Sequence, residues 1–211
     1  MHMADIFPLK IVVLGAGNIG GTLGRKWSTA GHQVTFGVSD PNGPRSQALR
    51  AELGDKIKIG TVADALEAGE VVVMALPGGA METTITTNAA QLDGRIIIDT
   101  ANRMGGGPMN SLATFQAHTP RAQVYRAFNT LGWENFADPL FSGIPADLFY
   151  CGPAGDSNEI VTRMIEDIGL RPMYLGDNSQ IDLVDAVGRI WFALVFGQHK
   201  SRHLAFKVLT R

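Results

Sequence analysis

Apolar positions in this chain fall in short runs, separated by stretches where they recur every three to four residues. The first run, Lys10–Leu14, reads as a buried strand, and residues 18–30 follow with helical spacing up to a Gly31-His32 cap. The alternation repeats as a strand at 33–38, turn residues at 39–44 and a helix to Leu53. Beyond it come a strand at 56–60, a short helix at 61–68 and a strand at 70–76 stopped by Pro77, Gly78 and Gly79. A helix then runs to Ala90, and a strand covers 95–99. Continuous apolar strands spaced by helices predict a parallel sheet covered on both faces.

The rhythm continues more loosely, with further strands predicted at 123–127, 147–151 and 171–175. Between the last two, residues 156–168 form an amphipathic helix with Ile160, Val161, Met164, Ile165 and Ile168 on one side. Residues 179–211 keep a helical pattern whose apolar face is Ile181, Val184, Val187, Ile190, Trp191, Leu194 and Val195, with Gly188 and Gly197 as candidate kinks. Neither an internal repeat nor an interdomain linker interrupts this order. The expected architecture is α/β: a doubly wound, mostly parallel sheet over residues 1–177 and a short C-terminal helical cap over 178–211.

Composition narrows the function classes. A length of 211 residues suits one well-buried domain. The 25 glycines, about 12 % of the chain, exceed the usual ~7 % and show no collagen-like period. A net charge of −2 leaves no footprint for nucleic acid or an acidic membrane. The single cysteine, Cys151, excludes an internal disulfide and fits a reducing cytosol, so a cytoplasmic protein is expected. The apolar stretch 190–196 is far shorter than the ~20 residues that span a bilayer. No signal peptide is visible, and the Met1-His2-Met3 opening reads as a cloning remnant outside the fold.

The glycines include a fingerprint, Gly15-x-Gly17-x-x-Gly20, placed directly after a buried strand and opening a helix. That context marks a Rossmann-type dinucleotide site. Gly15 permits the tight turn, Gly17 lets a pyrophosphate approach the backbone, and Gly20 lets the helix pack close. Free N–H groups near Asn18 and Ile19 then face the phosphates, aided by the helix dipole. At the end of the second strand, Ser39 and Arg45 could hold the 2′-phosphate of NADP, while Asp40 is either a ribose acid or part of an Asp-Pro-Asn-Gly turn. The Leu76-Pro77-Gly78-Gly79 turn and Asn102 end the next strands at the ligand-binding edge. The loop 104–109, with Gly105, Gly106 and Gly107, is either a mobile lid or a plain connector.

Hydrolase and zinc signatures are missing: there is no GxSxG, HExxH or CxxC. His199 and His203 stand at i, i+4 without an obvious third ligand and read as a solvated helix face, so no metal is expected. Cys151 ends an apolar strand and reads as a small core residue. Hydride transfer between two ring systems needs no acid/base dyad, only stacking and orientation, because the cofactor carries the chemistry.

The segment Ala127-Phe-Asn-Thr-Leu-Gly-Trp-Glu134, the 15–20 fingerprint, the Ala-Leu-Pro turn, the Gly-Leu-Arg-Pro-Met segment at 169–173 and the ending His203-Leu-Ala-Phe-Lys207 together resemble the NADP oxidoreductase family dependent on coenzyme F-420. That family also resembles the cytosolic reductase domains of membrane metalloreductases. The resemblance covers nearly the whole chain. It implies an oxidoreductase that passes a hydride between NADP(H) and a deazaflavin or flavin stacked near the nicotinamide. By position it puts Asn18 and Ile19 at the phosphates, Val38 and Ser39 at the ribose phosphate, and Leu76 and Pro77 along the cofactor's middle. Asn129, Leu131 and Trp133 would line the acceptor cleft and Leu204 would close over it; core packing is the other use of Phe128 and Trp133. Two departures stand out: Ser39 replaces a frequent Arg, and Asn129-Thr-Leu-Gly132 replaces a His-Thr-Ile-Pro pattern.

Two other functions fit the same residues. One is an NADPH-dependent reductase of a small imine or carbonyl compound, and the other is a non-enzymatic NADP-binding sensor module. The apolar face of the C-terminal helix is compatible with a homodimer or with burial inside one subunit.

Overall fold

A computed structural model describes residues 7–211, so the Met1-His2-Met3 opening lies outside the described residues. Strands and helices alternate as β1 (Lys10–Leu14), α1 (Asn18–Thr29), β2 (Gln33–Gly37), α2 (Pro44–Leu53), β3 (Ile57–Gly60), α3 (Val62–Leu66) and β4 (Val71–Met74). They continue as α4 (Met81–Thr87), α5 (Ala89–Leu92), β5 (Ile96–Asp99), α6 (Leu112–His118) and β6 (Gln123–Arg126). The six strands pair in parallel in the order β3-β2-β1-β4-β5-β6, the doubly wound arrangement expected from the apolar runs. Between β1 and β4 the winding reverses, which opens a crevice at the carboxyl ends of those strands.

Alternation along each strand divides the core between two faces. Ile11 and Val13 join Val71, Val73 and the α1 residues Leu23 and Trp27 on one face. Val12 and Leu14 join Val72, Met74, Met81, Ile85 and Phe115 on the other. Such strands are buried on both sides and therefore show no polar register.

The remaining elements are α7 (Trp133–Ala137), a hairpin of β7 (Leu140–Phe141) and β8 (Ile144–Pro145), β9 (Asp147–Tyr150), α8 (Asp156–Glu166), β10 (Arg171–Tyr174) and α9 (Ile181–Phe192). Three details differ from the sequence reading. Strands β9 and β10 do not extend the main sheet. They form their own parallel pair, joined to β6 by one antiparallel bridge between Arg126 and Cys151. The helix expected to Ala90 breaks at Asn88, whose side-chain amide bonds to the Thr84 carbonyl and competes with the helical ladder.

The third difference concerns the C-terminus. The helical cap reaches only Gly197, with a π-helical turn over Ala193–Gly197, and residues 198–211 are not helical. The tail's backbone bonds mainly to the rest of the domain. The Leu204 carbonyl accepts from Trp191 Nε1 (2.8 Å), the Phe206 carbonyl from Asp147 N (3.0 Å), and Val208 N donates to Asp147 Oδ2 (2.6 Å). Gly188, expected as a kink, lies inside an unbroken α9. A Cβ there would sit 3.1 Å from the Asn129 carbonyl oxygen, so glycine lets the helix lie close on that segment.

Candidate functional site

In the β1–α1 turn the three glycines of the fingerprint meet different surroundings. Gly15 has φ of +100°, and a Cβ there would overlap the Ala75 carbonyl oxygen; a Cβ at Gly20 would overlap the carbonyl of Gly15. Around Gly17, by contrast, nothing lies within 4 Å of an added Cβ. Gly17 is the N-cap of α1 and supplies no side-chain cap, nor is there an acid in the first helical turn. The N–H groups of that turn, at exposed Asn18, half-buried Ile19 and buried Gly20, thus open on the crevice beside β4. A site of this kind attracts an anion through aligned N–H groups and the positive end of the helix dipole.

Past β2, half-buried Val38 leads into exposed Ser39 and Asp40. Asp40 is engaged in its own turn: Oδ1 accepts from Asn42 N (3.1 Å), and its carbonyl accepts from Gly43 N (3.2 Å) and Ser46 Oγ (2.8 Å). The turn use of Asp40 is therefore the one present. Arg45 is exposed on the first turn of α2, and its guanidinium makes no ion pair among the described residues.

At the other side of the crevice, Leu76 is half-buried and Pro77 exposed at the end of β4. Asn102, after β5, is held at both ends of its amide: Nδ2 donates to the Asn129 carbonyl (3.1 Å) and Oδ1 accepts from Arg126 (2.8 Å). Arg126 itself is fully buried, with its guanidinium bonded to Asp185 Oδ1 (2.8 Å) and the Ala101 carbonyl (2.5 Å), and 3.3 Å from Asp99 Oδ1. Asp185 also accepts from Asn110 Nδ2 (2.8 Å) and Asn129 Nδ2 (3.3 Å). Burial raises the Asp99 carboxyl above its ordinary value, against the pull of Arg126 and of the Ser111 and Ala101 N–H groups.

This network ties α9 to the carboxyl edge of the sheet, and the sequence reading overlooked it. Its signals were visible: a charged residue inside an apolar strand (Arg126) and another on the apolar face of a helix (Asp185) each require a buried partner. Asn129 is 2 % exposed, and its Oδ1, like the neighbouring Thr130 Oγ1, has no hydrogen-bond partner among the described residues. Phe128 takes a left-handed φ of 59°, turning its ring into a T-shaped cluster with Trp27 and Phe136, which is the core use foreseen for it. Leu131 is buried in the same core, with half-buried Trp133 against it. Leu204 packs there too, and its carbonyl accepts from Asn135 Nδ2 of α7 (3.3 Å). The structure thus gathers Asn102 and Asn129 at one point, and Trp133 and Leu204 around α7.

His199 and His203 lie beyond the last helical turn, so their i, i+4 spacing puts them on no common helix face. No group of three or more His, Cys, Asp or Glu among the described residues is placed to hold a metal ion. Cys151 is fully buried, and burial pushes its thiol up to about 12, so it stays a thiol at neutral pH and packs as a core residue. No helix of the described residues is long and apolar enough to cross a membrane.

Residues 10–103 match the family described as NADP oxidoreductase, coenzyme F420-dependent. This stretch belongs to that family. Over 110 residues the chain is 30 % identical to the glycerol-3-phosphate dehydrogenase, NAD(P)+, of Pseudomonas fluorescens (strain Pf0-1), covering 46 % of this chain. The chain spans only 30 % of the length of that curated relative. Among solved structures, a candidate F420-dependent NADP-reductase from Arthrobacter sp. FB24 is similar with a TM-score of 0.81 and 24 % identity, over 96 % of this chain and 100 % of that one. A hypothetical protein from Sinorhizobium meliloti has a TM-score of 0.68 and 28 % identity over 80 % and 85 % of the two chains. A reductive aminase from Aspergillus terreus, in complex with NADPH4, cyclohexanone and allyl amine, shares the fold with a TM-score of 0.63 and 20 % identity, over 93 % of this chain and 69 % of that one.

The part that belongs to the F420-dependent NADP oxidoreductase family runs from β1 to the residue after Asn102. It holds the glycine turn, the end of β2 and the end of β4. The loop 104–109, Asn129, α7 and α9 lie outside it.

Proposed function

We propose that the chain is an NADPH-dependent reductase that passes a hydride between NADP(H) and a deazaflavin (coenzyme F-420) or flavin. The observation that carries this reading is the uncapped start of α1 at the β1–β4 crevice, with open space at Gly17 and none at Gly15 or Gly20. Those residues fit a dinucleotide, whose pyrophosphate oxygens can accept from bare N–H groups in a gap kept free of side chains. When bound, a nicotinamide dinucleotide supplies or accepts the hydride.

The chain's own residues bind and orient. Gly15, Gly17, Asn18, Ile19 and Gly20 would hold the pyrophosphate. Val38, Ser39 and Arg45 would lie at the adenosine ribose and its 2′-phosphate, and Leu76 and Pro77 along the middle of the cofactor. Asn102, fixed by Arg126 and the Asn129 carbonyl, would orient the nicotinamide end. Asn129, with its unpartnered Oδ1, would face the acceptor together with Leu131 and Trp133, and Leu204 would close that side. In this reading residues 1–177 form the dinucleotide unit and 178–211 the cap that completes the cleft.

The fold shared with the reductive aminase favours a second reading, reduction of a small imine or carbonyl compound. Absorbance titration of the purified protein separates the two. NADPH oxidation on adding a deazaflavin or flavin supports hydride transfer to a ring acceptor. Oxidation only with imines or ketones favours the second reading. Tight NADPH binding without turnover on any acceptor would overturn both in favour of a binding module.

A further inference from the structure

Beside the contact between Asn102 and Asn129, the loop 104–109 and α9 border an open cleft of about 290 Å³. Its apolar walls are Met104, Met109 and Phe192, and it is also lined by Arg103 and Arg189, with no carboxylate among the lining residues. Neither guanidinium has an ion pair among the described residues. Arg45, Arg50 and Arg95 are likewise without an ion pair among the described residues, but none of them lines this space, where two such guanidinium groups come together. Two unneutralised cations on one small space repel each other, and an anion between them turns that repulsion into attraction.

We propose that this cleft is an anion subsite for the hydride acceptor: Arg103 and Arg189 hold a phosphate or carboxylate of the acceptor while Met104, Met109 and Phe192 cover its apolar part. The inference rests on the hydride-transfer reading above and specifies the acceptor's class, an anionic ring compound in place of a neutral imine or ketone. The 2′-phosphate of NADP does not explain the two arginines. Ser39 and Arg45 follow β2, whereas the cleft follows β5, three strand positions away in the order β2-β1-β4-β5. At about 4.8 Å per strand that is roughly 14 Å across the sheet. Guanidinium groups suit the task because their donors match the oxygens of phosphate and carboxylate in pairs.

Fluorescence titration of the full chain tests this with two matched probe pairs: FMN against riboflavin, and coenzyme F-420 against its deazaflavin riboside lacking the anionic tail. In at least one pair the anionic member is expected to bind about tenfold more tightly, as one or two charge-assisted hydrogen bonds would give. The gap should narrow as salt rises. Arg189→Ala, at an exposed position of α9, and Arg103→Ala should each shrink the ratio, and Arg189→Glu should reverse it, with unchanged circular dichroism. Equal affinities within both pairs, no binding of any probe, or a ratio unmoved by the arginine variants would overturn the subsite. The functional reading fails separately: charge-dependent binding without NADPH oxidation sinks hydride transfer and leaves the subsite standing, while turnover with equal affinities does the reverse.

Discussion

Gly17 and Gly20 are three residues apart and chemically identical, yet the space around them differs completely. A side chain at Gly20 collides with the backbone of Gly15, whereas one at Gly17 enters open space. The two positions therefore separate folding from binding. Gly17→Val is expected to leave the melting temperature within a few degrees of the parent and to abolish NADPH binding, measured by calorimetry and fluorescence. Gly20→Ala is expected to destabilise the domain by about 1–3 kcal/mol through overpacking. Unaltered NADPH affinity in the Gly17 variant would remove the pyrophosphate from this turn. The glycine pattern was legible in the sequence because its spacing after a buried strand is itself a local signal, although the clash at Gly15 is with the distant Ala75 carbonyl. Asp40 was not: as a ribose acid or a turn residue it looks the same until its Oδ1 is seen on the Asn42 N–H.

At the scale of elements, α9 is held to the sheet edge by charge as much as by packing. The Arg126–Asp185 pair is fully buried, and each partner is bonded further into the segments that carry Asn102, Asn110 and Asn129. Removing one partner strands the other charge in the interior. Asp185→Ala is expected to cost about 3–5 kcal/mol in urea unfolding. Replacing both partners together by apolar residues, Arg126→Met with Asp185→Leu, should recover much of that loss while still loosening Asn102 and Asn129. Stability restored with catalysis still impaired would mark the pair as a positioning device, and a loss below about 1 kcal/mol in the single variant would show the pair to be dispensable. The strand and helix rhythm of residues 10–99 could be read directly, because each apolar run there is bounded by turn residues and followed by a helical segment. After β6 that logic fails. Strands β9 and β10 read from the sequence like the others, and their pairing with each other apart from the main sheet is a tertiary outcome.

At the scale of the whole molecule, the last residues act as a strap across the β9–β10 pair. Asp147 is the anchor, bonded to Arg171 (2.6 Å), to the Val208 N–H (2.6 Å) and to Lys207 (3.1 Å). Burial alone would raise its carboxyl, but Arg171, the Val208 N–H and Lys207 together hold it below the usual value. A depressed folded value contributes stability that is fully present above the unfolded value of ~3.9 and is lost as pH falls through the lower folded one. Asp147→Asn should therefore be less stable than the parent at neutral pH, with the gap closing only in acid below about pH 4. A gap that does not change with pH would mean that the Asp147 charge is not what fastens the strap.

The sequence by itself determined the α/β class, the positions of the strands β1 to β6 along the chain and the glycine turn, since these depend on apolar periodicity and on the spacing of glycines after a strand. Where β9 and β10 pair, where the terminal helix stops, and which residues meet around Arg126 were decided only in the tertiary structure. Those outcomes depend on contacts between residues far apart in the chain, such as Arg126 with Asp185 and Asp147 with Val208, whose partners no local pattern names.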